Sequence, residues 1–232
     1  MKRLAVIPAR GGSKRIPKKN IKDFCGQPMI SYILNCAINS NLFDKIHIST
    51  EDLEIASCAE KILGEKLDFM RPASLADDFT ALMPVLNYVK NEYAFNNQHF
   101  DEIWMLMPCS PLLEIDDLHN AADAFSKAPV GTNLLTVAEY PTPIEWAFNK
   151  DENDILSPCN PGMFKIRSQD ISNKYYDTGS LAIFLANNIG EVTDDIDKSF
   201  VGYTLPKTKA VDIDTEDDWK LAEALFLLKK ED

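Results

Sequence analysis

The chain has 232 residues, 45% hydrophobic and 26% charged, which excludes a disordered polymer and suits one α/β domain spanning 1–232 with a full core. A net charge of −12 argues against nucleic acid or an anionic membrane as partner, and no run of about 18 apolar residues offers a transmembrane helix. Cys25, Cys36, Cys58, Cys109 and Cys159 are scattered and form no CxxC pair, and His47, His99 and His119 lack metal-ligand spacing. With no signal-type apolar stretch near Met1, the expectation is reduced thiols, no zinc and a cytoplasmic location.

In chain order, residues 3–8 (RLAVIP) predict a buried strand and 29–39 a helix. Residues 45–49 (KIHIS) read as a strand, with His47 a structural residue inside it. Helices are expected over 53–63 and 82–94, and an apolar strand over 102–107 with Trp104 in the core. A helix over 115–126 carries Glu114, Asp116 and Asp117 near its positive end. Strands follow at 133–138, 181–185 and 200–205. A last helix at 215–229 holds Trp219 in the core and is capped by Thr215 with Asp218 three residues on. Such alternation implies a mainly parallel sheet with helices on both faces, whose ligands bind beyond the carboxyl ends of the strands. The stretch at about 139–177, rich in Pro, Asn and Asp, breaks the alternation and reads as an inserted arm or lid; its Trp146 is placed to pack across a dimer.

Two local patterns carry chemistry. Residues 1–22 hold Lys2, Arg3, Arg10, Lys14, Arg15, Lys18, Lys19 and Lys22 and no acid, in an otherwise strongly acidic chain. A solvated basic terminus is the plainer alternative, but here the block encloses an apolar strand and the turn Ala9-Arg10-Gly11-Gly12-Ser13-Lys14. Gly11 and Gly12 permit positive φ, which turns backbone N–H groups toward a phosphate. Arg10, Lys14 and Lys19 suit the neutralisation of a triphosphate. The spacing matches neither GxxxxGK[ST] nor GxGxxG. The second pattern is Asp212-Ile213-Asp214: in extended backbone residues i and i+2 face one way, so both carboxylates can reach one Mg²⁺, or alternatively Mn²⁺. A turn with a helix cap is the bland alternative, and a DxD glycosyltransferase or a non-catalytic nucleotide-binding module the remote ones.

The run IPARGGSKRIPKKN (7–20) resembles the opening signature, IPAR-x-x-S-K-x-x-P-x-K-N, of nucleotidyltransferases that activate acidic sugars, the CMP-sialate synthetase type. Arg71-Pro72-Ala73 through Asp78 is similar to the family's RPxxLAxD, Pro108-Cys109-Ser110-Pro111-Leu112 to its QPTSPLR, and Val211-Asp212-Ile213-Asp214-Thr215 to its IDIDT. Tyr140 to Ile144 (YPTPI), Arg167-Ser168-Gln169-Asp170 and Tyr176-Asp177-Thr178-Gly179 resemble the pseudaminic acid cytidylyltransferase branch. Met107, Leu113 and the run Thr178-Gly179-Ser180-Leu181 depart from the patterns, which touches sugar selectivity rather than the chemistry.

The resemblance implies a Rossmann-like nucleotidyltransferase with a dimerisation arm, acting as a homodimer. It implies transfer of CMP from CTP to a nine-carbon acidic sugar, pseudaminic acid first, legionaminic or N-acetylneuraminic acid as alternatives. Ala9, Arg10, Gly11, Gly12, Ser13, Lys14, Lys19, Asn20, Arg71, Asp78 and Ser110 are expected at the nucleotide, and Arg167, Ser168, Gln169, Asp170, Tyr176 and Asp177 at the sugar. Asp212 and Asp214 are expected at the metal. Lys19, Arg10, Lys14 and Asp212 are the expected catalytic residues, with Lys19 at the transition state.

Overall fold

The computed structural model describes residues 1–190 and 200–231. Strand β1 (Arg3–Pro8) sends Leu4 and Val6 to one face and Ala5 and Ile7 to the other, and all four are fully buried, as a central strand of a covered sheet requires. A short hairpin follows, β2 (Asp23–Phe24) with β3 (Gln27–Pro28), turning at Cys25 and Gly26, both at positive φ. Helix α1 (Met29–Ser40) leads to β4 (Lys45–Ser49) and α2 (Leu53–Leu63). The Asp52 carboxylate caps α2 by accepting from the N–H groups of Glu54 and Ile55. Then come α3 (Leu82–Phe95), β5 (Glu102–Leu106), α4 (Ile115–Ser126) and β6 (Asn133–Glu139). A two-stranded excursion, β7 (Phe148–Lys150) with β8 (Leu156–Pro158), precedes β9 (Tyr175–Leu185), β10 (Phe200–Thr204) and α5 (Glu216–Glu231).

The main sheet has the order β10-β6-β9-β5-β1-β4, with β9 antiparallel to both neighbours and the other pairings parallel. Helices α1, α2 and α4 cover one face over Ile7, Trp104, Leu106 and Ile183; α3 covers the other through Leu86, Val89 and Tyr93. A third, smaller core joins Ile16, Phe24, Met29, Leu112, Ile213, Trp219 and Ala222. Trp104 and Trp219 are both buried, as their patterns predict, and Thr215 and Asp218 cap α5 reciprocally.

Element boundaries agree with the sequence pattern to within a residue or two except at β9. That strand begins at Tyr175, six residues before the expected start at 181, so the inserted segment between β6 and β9 narrows from 139–177 to 140–174. Asp177, Thr178 and Gly179 form a β-bulge: the β6–β9 register shifts between Leu135 and Val137, and Gly179 takes φ 62°. Buried hydroxyls hold the bulge, Thr136 Oγ1 lying 2.7 Å from Thr178 Oγ1 and accepting from the Leu181 N–H at 3.1 Å.

His47 is structural, as expected. It is buried in β4, its ring stacks on Phe69, and its Nδ1 lies 3.2 Å from the Tyr93 hydroxyl, which donates to Asp68. Burial lowers its pKa to about 3, so it stays neutral.

Candidate active site

A cleft of about 620 Å³ opens beyond the carboxyl ends of β1 and β5, beside the β9 bulge. It receives Arg10, Ser13, Lys14, Lys19, Asn20, Arg71, Asp78, Ser110, Asp212 and Asp214, all expected from sequence. The position follows from topology: the parallel neighbours β1 and β5 end side by side, and the chain leaves each into a loop that lines the space.

Local packing explains how the loop after β1 holds its charges. Ile16 is buried in the third core, so Lys14 and Arg15 on one side and Lys19 on the other are carried by an anchored segment. Buried Asn20 closes the loop, its Nδ2 donating to the Arg10 carbonyl at 2.9 Å while its Oδ1 accepts from Cys109 Sγ at 3.4 Å. Both polar ends of Asn20 are thus used within the protein. Burial pushes the Cys109 thiol up to about 12, which leaves it a neutral donor and no nucleophile.

The two glycines act differently from the expectation that positive φ turns their N–H groups to a phosphate. Neither Gly11 nor Gly12 has positive φ. The Gly11 N–H donates to Glu51 Oε1 at 2.8 Å, and a Cβ on Gly11 would stand 2.4 Å from Asp52 Oδ2. Glycine is required there by close approach, whereas a Cβ on Gly12 would meet nothing within 4 Å. Ala9 is fully buried and bonds Ser49 through its N–H, so Ala9, Gly11 and Gly12 frame the cleft without lining it.

Four cations face carboxylates across the cleft in two sets. Arg10 donates to Asp78 Oδ1 and to the Asp77 carbonyl, both at 2.9 Å, and Lys14 pairs with Asp78 Oδ2. The Lys14 ammonium and Arg10 hold the Asp78 carboxyl below the usual carboxylate range. On the other side Arg15 pairs with Asp214 Oδ2 at 2.8 Å, and Lys19 donates to the Ile213 carbonyl at 2.6 Å with Asp214 Oδ1 at 3.5 Å. Arg71 is buried, its Nε donating to Ser49 Oγ at 3.0 Å and Nη2 to the Ser49 carbonyl at 2.6 Å; burial lowers its pKa and the Glu51 charge opposes that.

Asp212 and Asp214 reach the same cleft because Ile213 between them is buried in the third core, shared with Ile16. Among the described residues no side chain hydrogen-bonds or ion-pairs the Asp212 carboxylate. Its pKa is raised, by partial burial first and the Asp214 charge second, with Lys19 opposing. A cation would relieve this like-charge pair. Among the described residues no cluster of three or more His, Cys, Asp or Glu side chains exists to form an all-protein metal cage. Two hard oxygens on an open wall suit an ion that keeps waters and takes phosphate oxygens, and do not suit a tetrahedral zinc site.

The residues expected at the sugar do not line this cleft. Arg167 pairs with Asp170 at 2.9 Å on the exposed inserted segment, together with Ser168 and Gln169. Tyr176 packs edge-on to Tyr140, and Asp177 accepts the Gly179 N–H at 2.8 Å. Trp146 stacks on Phe164 within the same segment and donates to the Met163 carbonyl. The cleft instead takes Met107, Thr178, Gly179, Ser180 and Arg15, none of them expected there as binding residues. Arg15 had a visible signal in the charge run; the β9 residues did not, because the bulge that presents them depends on pairing with β6.

A cation-lined cleft facing a carboxylate pair, at the carboxyl edge of a mainly parallel sheet, defines a nucleotide-handling α/β protein of the nucleotidyltransferase class. The model of the family described as Cytidylyltransferase matches residues 4–156, and the chain belongs to that family. It is 36% identical over 234 residues to a pseudaminic acid cytidylyltransferase of Campylobacter jejuni serotype O:2, covering 100% of this chain and 99% of that protein. It is 29% identical to a CMP-N,N'-diacetyllegionaminic acid synthase of Legionella pneumophila, again over 100% and 99%. In fold it resembles a CMP:2-keto-3-deoxy-manno-octonic acid synthetase solved with CTP, with a TM-score of 0.70, 16% identity and 99% of this chain covered.

Proposed function

We propose that this enzyme transfers CMP from CTP to the anomeric hydroxyl of pseudaminic acid and releases pyrophosphate. The observation that carries this reading is the set Arg10, Lys14, Arg15 and Lys19 facing Asp212 and Asp214 in one cleft. The full-length relationship at 36% identity directs the sugar assignment. Legionaminic acid is the second reading, favoured by the full-length match at 29%; N-acetylneuraminic acid stands behind it.

Arg10, Lys14 and Lys19 neutralise the triphosphate, Arg10 by a fork and the lysines as point charges. Asp78 and Asp214, which hold these cations in the free protein, give way to phosphate oxygens. Asn20 keeps the loop closed, and Ser13, Arg71 and Ser110 line the nucleotide's side of the cleft. Asp212 and Asp214 would hold Mg²⁺, with Mn²⁺ as substitute, and the ion would supply charge neutralisation on the phosphate oxygens. The sugar hydroxyl oxygen forms a bond to the α-phosphorus as the bond to the β-phosphate oxygen breaks and pyrophosphate leaves. One of the two carboxylates, Asp212 or Asp214, takes the hydroxyl proton. Lys19, held in place by the Ile213 carbonyl, meets the charge that develops in flight.

The segment 140–174 serves as a dimerisation arm in a cytoplasmic homodimer; its Arg167, Ser168, Gln169 and Asp170, with Tyr176 and Asp177 at the start of β9, meet the sugar across the dimer. Its exposed apolar side chains Phe148, Leu156 and Phe164 support that role. Pyrophosphate release from CTP with Mg²⁺, measured in parallel with pseudaminic, legionaminic and N-acetylneuraminic acids, tests the proposal. Release with pseudaminic acid is expected; release with another sugar alone removes the substrate assignment, and release with none removes the activity.

A further inference from the structure

The chemistry of the acceptor places a carboxylate beside the reacting centre, in a cleft that Arg167, the residue expected for it, does not line. In a 2-keto acid sugar the carboxylate is bonded to the same carbon as the attacking hydroxyl. When that hydroxyl approaches the α-phosphorus beside Asp212 and Asp214, the sugar carboxylate therefore comes close to two protein carboxylates. The Mg²⁺ proposed at that pair is shared with the phosphate oxygens, so a protein cation beside it would offset the added carboxylate charge.

The candidate cations differ in what already occupies them. Arg10 and Lys14 lie on the far set, both paired with Asp78. Arg71 is buried, with its Nε and Nη2 donating to Ser49. The Lys19 ammonium is largely enclosed and bound to the Ile213 carbonyl. Arg167, the fork expected at the carboxylate, is paired with Asp170 outside the cleft. Arg15 alone among these combines a place in the cleft, contact with the Asp214 carboxylate through one Nη, and a side chain 66% exposed, leaving the rest of its guanidinium open. Burial of its neighbour Ile16 fixes the backbone from which it reaches.

We infer that Arg15 is the residue that recognises the carboxylate of the acidic sugar, bridging it to Asp214 beside the reacting centre. The inference rests on the acidic-sugar reading of the cleft. Planar fork geometry matches a carboxylate and is poorly replaced by lysine.

The test compares the sugar acid with its C1 methyl ester, which keeps the anomeric hydroxyl and loses the charge, in wild type and Arg15→Gln. CTP binding is titrated on the same samples. Wild type is expected to prefer the acid by roughly 10- to 100-fold in kcat/KM, the loss of one charge-assisted pair. Arg15→Gln is expected to raise the KM for the acid by a similar factor, to bring acid and ester within about threefold, and to leave CTP affinity within about twofold. A merely structural role would not collapse the acid-to-ester ratio. If the glutamine variant fails to bind CTP because its fold is disturbed, Arg15→Lys is read by the same ratio. The inference is overturned if the variant keeps the wild-type preference for the acid. It is equally overturned if CTP affinity falls while the sugar KM holds, which would make Arg15 a phosphate ligand, or if wild type uses the ester as well as the acid. No turnover of any acidic sugar by wild type would instead sink the underlying activity, and this inference with it.

Discussion

The cleft and the inserted segment are built on opposite physical plans. Around the cleft every functional stretch is pinned by a buried neighbour: Ile16 for the basic loop, Ile213 for the carboxylate pair, Ser49 for Arg71. Residues 140–174 have no such core. Their apolar side chains stack on one another, Trp146 and Phe148 on Phe164, and much of that surface remains exposed. A preorganised charge site needs fixed backbone and gains from it in every turnover. A segment with an incomplete core leaves apolar side chains exposed.

The sharpest break of this comparison is at the carboxylate pair. Asp212→Asn is expected to lower pyrophosphate release by about 10²–10³-fold, by analogy with the loss of one preorganised charged group, while thermal stability holds. Unchanged release in a steady-state assay would remove the pair from the chemistry.

The scaffold of the cleft carries a pH dependence through buried His47. His47 titrates near 6.5 unfolded and near 3 folded. Between these values the unfolded state binds a proton that the native state excludes, so stability falls as pH drops below about 6.5, by about 1.4 kcal/mol per pH unit. Urea melts from pH 7 to pH 5 check this, and His47→Gln is expected to flatten that part of the profile.

The two loop glycines refine the contrast further. Gly11→Ala drives a Cβ into Asp52, the cap of α2, and is expected to cost about 1–2 kcal/mol in the same melts; Gly12→Ala is expected to cost less than about 0.5 kcal/mol. Equal costs would contradict the packing asymmetry. Trp146→Ala is expected to cost below about 1 kcal/mol because its ring is only half-buried. Its signature is association instead: sedimentation is expected to shift from dimer to monomer with CTP binding retained.

Several features were legible in the sequence for direct reasons. A continuous apolar run such as Leu4 to Ile7 has one stable fate, a covered strand. A basic loop within an acidic chain marks an anion site, and an Asp-Ile-Asp triplet in extended backbone points two carboxylates one way with its apolar residue opposite. The roles of individual loop residues were harder to read. Gly11 is glycine because Asp52 stands against it, and that neighbour is forty-one positions away. Asn20 turned out to serve loop closure, through partners at Arg10 and Cys109.

Composition, periodicity and local charge therefore determined the long helices, most of the main-sheet strands, the basic loop and the paired carboxylates, because each depends on neighbours along the chain. Tertiary structure alone decided that β9 runs antiparallel and bulges into the cleft, that Arg15 pairs with Asp214, and that Arg167 lies elsewhere. Those outcomes depend on sheet register and on a shared apolar core joining residue 16 to residue 213, and contacts between segments so distant leave no spacing pattern in either one.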